Sequence, residues 1–196
     1  MTDLVSDEAA SARRLPTMGE ATFPFRHRLF RLAWQVCWML MGAWTPPPLH
    51  AWRRFLLRLF GGRIASTARI YGGARIWYPP NLTMGEYACL ADGVDCYCMD
   101  RIELEAHALV SQRAFLCGGS HKVSDPDFPL VTGPIRIGRG AWVAAEAFVG
   151  PGVEIGEGAV LAARGVAVRS LEPWTVYAGN PAQSVGRREL GQAKAR

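Results

Sequence analysis

The sequence predicts an all-β fold, a parallel β-helix of about five coils with an α-helical hairpin at its N-terminal end. Three observations carry that expectation. From Ile135 to Leu171 an apolar residue returns at every sixth position, at Ile137, Val143, Val149, Ile155 and Leu161, with mostly small or polar residues between. The same period runs backwards through the middle of the chain in sets of three. Ahead of it, a nearly continuous apolar run is stopped by Thr45 and three prolines.

A six-residue period is neither helical nor that of a simple strand, and so short a unit can bury its apolar residue only against its neighbours. Three hexapeptides then form the three sides of a coil, and every sixth side chain enters a narrow triangular core. Stacked coils pair strand on strand at about 4.8 Å. Gly138, Gly150 and Gly156 follow a repeat-leading residue or stand at a corner, where glycine is expected to relieve the backbone as it bends.

Ile64, Ile70 and Ile76 lead the first coil, Met84, Leu90 and Cys96 the second, and Leu104, Val110 and Leu116 the third. The phase slips by two residues at Leu82, Ile102 and Ile135. Each slip falls between sets of three, so Leu82 with Met84, Ile102 with Leu104, and Ile135 with Ile137 are expected as paired inward residues at extended corners. The main interruption, Lys122 to Pro134, is expected as a loop leaving the helix immediately after His121.

These boundaries divide the chain into a polar tail at 1–22, expected to be disordered, a helical hairpin at 23–62, the β-helix at 63–172 with its loop at 122–134, and a closing turn with a basic tail at 173–196. Within the hairpin, Leu29 to Trp44 is interrupted only by Arg31 and Gln35 among its larger side chains, and is too short to span a bilayer. A second helix is expected from Leu49 to Phe60, ended by Gly61 and Gly62. Its Trp52, Phe55, Leu56, Leu59 and Phe60 are set against Arg53, Arg54 and Arg58. Two readings stand side by side: the hairpin caps the open end of the solenoid, or its tryptophans and arginines lie in the interface of an anionic membrane.

At 196 residues, 49% apolar and 20% charged, the chain suits one soluble domain with an extension. A net charge of +5 permits anionic partners, but the basic residues form no recognised nucleic-acid motif. Five cysteines, with no CxxC pair and no secretory signal at the start, imply reduced thiols and a cytoplasmic setting. Cys96 and Cys117 are at or next to inward positions and read as small hydrophobes. The Cys96-Tyr97-Cys98 spacing has no matching second half for a metal site.

Chemistry is expected where the solenoid is broken. His121 closes the third coil as the loop departs, so its imidazole can project from an edge. An ordinary histidine titrates near neutrality and can take a proton from a hydroxyl or amine.

Several pieces, in this order, resemble the hexapeptide-repeat acyltransferases, and within them the exopolysaccharide O-acetyltransferases of the colanic acid type. They are Ser120-His121 at the loop, Pro134-Ile135-Arg136-Ile137-Gly138, Gly140-Ala141-Trp142-Val143, and Ala178-Gly179-Asn180-Pro181-Ala182. The resemblance implies a left-handed coil, a homotrimer with active sites between subunits, and acetyl-CoA lying along the coils. It implies His121 as the general base for direct transfer, with backbone amides around Ala145 stabilising the oxyanion or holding the pantetheine arm.

It also implies Trp142 near the thioester, Ala145 and Ala163 along the pantetheine, and Asn180-Pro181 as the turn over the nucleotide end. Arg169, Arg187 and Arg188 are candidates for the CoA phosphates, with a solvated basic tail as the alternative. The family often has aspartate after the catalytic histidine, where this chain has Lys122; Asp125 is the candidate substitute. Asp95 is the candidate for holding the acceptor, with Ser120 beside the base; a solvent-facing corner aspartate is the other reading. His107 lacks the matched histidines of the related zinc-dependent carbonic anhydrases, so no metal is expected.

The expected activity is acetyl-CoA-dependent O-acetylation of a sugar hydroxyl on a cell-surface glycan precursor, by a cytoplasmic protein in peripheral contact with the inner face of the membrane. The alternatives are acetylation of a small soluble acceptor and a non-catalytic scaffold.

Overall fold

Every predicted repeat-leading residue, from Ile64 in the first coil to Leu161 in the fifth, faces the core with at most 6% of its surface exposed. The computed structural model describes residues 23–189. The predicted tail at 1–22 and the last basic residues, 190–196, lie outside them.

The fold is a left-handed parallel β-helix with three sheet faces. Face 1 stacks Arg63–Ile64, Leu82–Met84, Ile102–Leu104, Ile135–Ile137 and Glu154–Ile155. Face 2 stacks Arg69–Ile70, Cys89–Leu90, Leu109–Val110, Trp142–Val143, Val160–Leu161 and Thr175–Ala178, and face 3 stacks Arg75–Ile76, Asp95–Tyr97, Phe115–Cys117, Phe148–Val149 and Val166–Ala167. Five coils are complete. A sixth is begun by Leu171, which bridges to Ile155, and by Thr175–Ala178. Gln183–Arg187 then folds back antiparallel and covers the end of face 2.

At the phase slips, Leu82, Ile102 and Ile135 each share a three-residue strand with the next leading residue, so both side chains point inward. A second buried column escaped the sequence reading. Two positions before most leaders stands an alanine, as at Ala68, Ala88, Ala108, Ala141 and Ala159, with essentially no exposed surface. A compact side chain suits the place where two faces meet at an acute corner, and valine takes it at Val94 and Val153.

The corner glycines work differently from the expectation. Left-handed backbone is found at Gly140, Gly152 and Gly158, with φ of 62°, 75° and 64°. Gly138 and Gly156 are needed instead for close approach: a Cβ on Gly138 would stand 2.8 Å from the amide nitrogen of Glu157, and one on Gly156 2.6 Å from that of Pro173.

The hairpin consists of α1 (Phe25–Met41) and α2 (His50–Leu59). Gly61, with φ of 87°, ends α2, and Gly62 donates back to the Leu57 carbonyl at 2.8 Å. Its placement follows from hydrogen-bond direction along the solenoid. Each coil donates its amides to the carbonyls of the next, as Arg69 does to Ala88 and Cys89 to Ala108, both at 2.8 Å. The carbonyls of the first coil have no earlier coil to serve.

Six hairpin side chains serve them instead, His50 among them with its Nδ1 2.8 Å from the Ile70 oxygen. Trp34 Nε1 donates to Ile76 at 2.7 Å, Trp38 Nε1 to Ala74 at 3.0 Å and Arg53 Nε to Ile70 at 2.5 Å. Arg54 and Arg58 donate to Ala68 and Ile64, both at 2.8 Å. Arg53 is fully buried, and its other nitrogens hold Thr45, Pro46 and Pro47. A buried unpaired carbonyl costs about 1–3 kcal/mol, so these donors complete the end coil.

Candidate active site

The interruption after the third coil is an ordered arm. Gly119–His121 pairs antiparallel with Leu130–Thr132, with His121 opposite Leu130. The pairing begins before the expected loop start and makes the segment a hairpin at the corner between faces 3 and 1. Two turns close its tip, with Asp125 N donating to Lys122 O at 3.1 Å and Phe128 N to Asp125 O at 2.9 Å.

At the outer end of the paired strands, where the tip turns begin, His121 is held from two sides. Its ring stacks on Phe128 with centroids 4.5 Å apart and planes 10° from parallel. Its Nδ1 lies 2.9 Å from the Phe128 carbonyl oxygen. A carbonyl only accepts, so the contact places a proton on Nδ1 and leaves the lone pair of the neutral ring on Nε2. Phe128 makes both contacts from left-handed backbone, φ 46°, a costly conformation for a bulky residue. Such outliers persist where surrounding structure holds them, and often at functional sites.

The expected carboxylate partner is elsewhere. Asp125 faces Lys122 Nζ at 3.3 Å and accepts from the Asp127 amide at 3.1 Å, so the group orienting His121 is a main-chain carbonyl. Ser120 is exposed and adjacent to His121 on one strand, which turns the two side chains to opposite sides of the arm.

Asp95 lies on face 3, one coil before Phe115, in an ion pair with Arg75 at 2.5 Å. It lines a cleft of ≈ 480 Å³ between α1 and face 3, with Gln35, Met39, Arg75, Trp77 and Tyr97. Tyr97 pairs in register with Cys117, two residues before the arm begins, so the cleft lies beneath the root of the arm.

Four of the remaining expected residues gather on the corner between faces 2 and 3. Ala145, Ala163 and the Asn180-Pro181 turn occupy that corner in the fourth, fifth and sixth coils, and the turn is fixed over face 3 by Ala182 N donating to Val166 O at 2.9 Å. Among the described residues, neither the Ala145 nor the Ala163 amide has a hydrogen-bond acceptor. Trp142 stands on the outer side of face 2, 41% exposed, its Nε1 donating to Ser111 Oγ at 2.8 Å. Part of its ring is therefore displayed to the outside.

The three arginines do not share that corner. Arg169 is exposed on the corner between faces 3 and 1, as the arm is. Arg188 Nη1 donates to the carbonyls of Gly140 and Gly158 at 2.8 and 2.9 Å, tying the terminal strand to the corner between faces 1 and 2. Arg188 Nη1 is thus engaged within the fold. Arg187 pairs with Thr175 and is exposed.

The sequence reading missed an ion-pair ladder on the corner of Ala145 and Ala163. Arg113 and Arg164, from the third and fifth coils, both bind the Glu146 carboxylate, the latter at 2.6 Å, and hold it below its usual titration range. The full-coil spacing of Glu146 and Arg164 was its available signal. Cys96 and Cys98 are buried, and their mutual hydrogen bond, together with burial, pushes the Cys96 thiol up. Among the described residues no three His, Cys, Asp or Glu side chains converge on a metal-sized site; His107 stacks on Tyr87 at 4.9 Å.

A hexapeptide solenoid broken by an arm that presents a histidine defines a class, the β-helical acyltransferases, and the comparisons give it a family. The chain is 42% identical over 146 residues to WcaF of Escherichia coli K12, a proposed colanic acid biosynthesis acetyltransferase, covering 74% of this chain and 80% of that one. The chain belongs to the hexapeptide-repeat acetyltransferases. No protein-family model matches it.

Among solved structures, a hexapeptide-repeat acetyltransferase from Vibrio cholerae, complexed with acetyl-CoA, superposes with a TM-score of 0.73 at 17% identity, covering 90% of this chain and 97% of that one. A galactoside acetyltransferase in complex with coenzyme A gives 0.73 at 17% identity, with coverage of 90% and 92%. At that identity the likeness is one of fold.

Proposed function

We propose that the protein transfers an acetyl group from acetyl-CoA to a hydroxyl of a sugar in an exopolysaccharide or other cell-surface glycan precursor, with His121 as general base. The observation that carries the reading is the contact between His121 Nδ1 and the Phe128 carbonyl, which leaves Nε2 free to accept a proton. Nε2 takes the proton of the acceptor hydroxyl as its oxygen bonds to the acetyl carbon. The carbon–sulfur bond breaks, and the same proton leaves Nε2 for the departing sulfur. General base catalysis of this kind contributes about 10²–10⁴-fold.

The corner of Ala145 and Ala163 suits the donor. Small side chains leave room for an extended pantetheine arm, and the two unpaired amides offer donors for its amide oxygens or for the developing oxyanion. Arg164 stands beside Ala163 there, and Trp142 flanks the approach. The cleft at Asp95 suits the acceptor: Trp77 and Tyr97 offer flat surfaces to a sugar ring, and Asp95 with Arg75 offers partners for its hydroxyls.

His121 and the Ala145–Ala163 edge lie on different corners of one chain. A homotrimer with parallel solenoids, in which the arm corner of one chain faces the donor corner of the next, completes the site. The similarity to WcaF supports the glycan acceptor.

The test is calorimetry with acetyl-CoA, followed by thiol release from acetyl-CoA in the presence of glycan precursors. Saturable binding, and release that requires a sugar hydroxyl, are expected. A folded trimer that binds no acetyl-CoA would contradict the reading.

A further inference from the structure

We infer that the outer face of the N-terminal hairpin docks on an anionic lipid surface. Capping explains only one side of α1. Trp34 and Trp38 point into the solenoid, while Phe25, Leu29, Leu32, Val36, Met39 and Leu40 form a continuous stripe on the opposite side, 41–68% exposed. At 100° per residue these six fall within about one-third of the helix circumference, the spread of an amphipathic helix. Phe55 and Leu59 of α2, 52% and 67% exposed, extend the apolar surface, and Trp44, 73% exposed, adds an indole between the helices.

Scattered exposed apolar residues are ordinary, but a contiguous face of this kind marks a contact surface. The charge around it selects the occupant. Residues 21–85 contain no Asp or Glu but nine arginines: Arg26, Arg28, Arg31, Arg53, Arg54, Arg58, Arg63, Arg69 and Arg75. Exposed Arg26 and Arg28 flank the stripe at its N-terminal end, and among the described residues neither is ion-paired. An apolar stripe edged by guanidinium groups, with aromatic side chains beside it, fits the interface of a bilayer carrying negative headgroups. No described helix is long and apolar enough to cross a membrane, so the hairpin lies on the surface.

The geometry also sets an orientation. The hairpin closes the first-coil end of the solenoid, so its outer face looks away along the solenoid axis. Chains packed side by side with parallel axes would present their stripes in one plane, and the coils that carry the arm would stand above the bilayer. An acceptor anchored in that membrane would then be approached from a fixed height. The docking itself is independent of the transfer chemistry.

Flotation of the full-length protein with vesicles tests it. Vesicles of equal phosphatidylglycerol and phosphatidylethanolamine are compared with pure phosphatidylcholine, at low and high salt. Binding to the anionic vesicles, weaker on the neutral ones and reduced by salt, is expected. L32E/V36E should lower the partition coefficient by at least about tenfold, and R26A/R28A by a smaller factor that vanishes at high salt. Both variants should retain wild-type acetyl-CoA affinity and melting temperature, which separates loss of docking from misfolding and from failure of the transfer assignment.

A wild-type protein that stays with the soluble fraction on anionic vesicles would overturn the proposal. So would binding unchanged in L32E/V36E. A larger wild-type assembly that L32E/V36E reduces to trimers, without vesicle binding, would assign the face to a second copy instead.

Discussion

The N-terminal hairpin and the arm at Gly119–Thr132 both depart from the hexapeptide pattern, yet they use their polar groups in opposite ways. In the hairpin, two indoles and three guanidinium groups are each committed to a carbonyl of the first coil. In the arm, the main chain is committed to the pairing of its two strands, and one imidazole nitrogen is left with its lone pair directed away from the contact that fixes the ring. Polar side chains that finish the fold are thereby separated from one whose ring is fixed with a nitrogen uncommitted.

The comparison can be broken most sharply at His121. Replacement by Ala should lower turnover by about 10²–10⁴-fold with acetyl-CoA affinity and assembly state unchanged, read by steady-state kinetics beside calorimetry. Arg53→Met should do the reverse. It strands the buried Thr45 carbonyl and takes the guanidinium from the Ile70, Pro46 and Pro47 carbonyls, and should cost about 3 kcal/mol in urea unfolding, with residual activity per folded molecule near wild type.

A smaller effect is expected of Phe128→Ala, which keeps the carbonyl but removes the ring beneath His121. A stack of this kind contributes about 0.5–1.5 kcal/mol, so kcat should fall by about three- to tenfold with little change in KM for acetyl-CoA. The smallest effect is on pH. Burial, together with neighbouring arginine, lowers the pKa of both His27 and His50 from the ordinary 6.5. Their neutral rings therefore favour the folded state. That stability is fully present above pH 6.5 and declines as pH falls below it toward the lowered values, because the unfolded chain then binds more protons. Melting temperatures taken from pH 8 to 5 should decline on the acid side, less steeply in His50→Gln.

Much of the solenoid was legible because a strictly periodic core writes itself into the sequence. The sixth-residue pattern marked the leading side chains, and the slips at Leu82, Ile102 and Ile135 marked the wide corners. What escaped was set between coils. The need for a hydrogen in place of a side chain at Gly138 depends on how near the Glu157 amide comes, and that distance belongs to the stacked neighbour. The carbonyls that select Arg53, Arg54 and Arg58 are invisible until the direction of the hydrogen bonds is known, so capping and membrane contact looked like rivals although the capping donors and the exposed apolar stripe lie on opposite sides of one hairpin.

At the candidate site, the histidine at the break was readable and its partner was not. A carbonyl leaves no residue type in the sequence, whereas the carboxylate sought at Asp125 does. The engagement of Arg188 escaped for a related reason: a guanidinium near the C-terminus looks free until its acceptors, the main-chain oxygens of Gly140 and Gly158, are seen.

The most direct test of the account is the tautomer of His121. In the full-length protein with ¹⁵N-labelled histidine, long-range ¹H–¹⁵N correlation at a pH where the ring is neutral should show the proton on Nδ1 and a pyridine-type Nε2. A ring protonated on Nε2 would contradict it, since that nitrogen could then neither receive the acceptor proton nor pass it to the leaving sulfur.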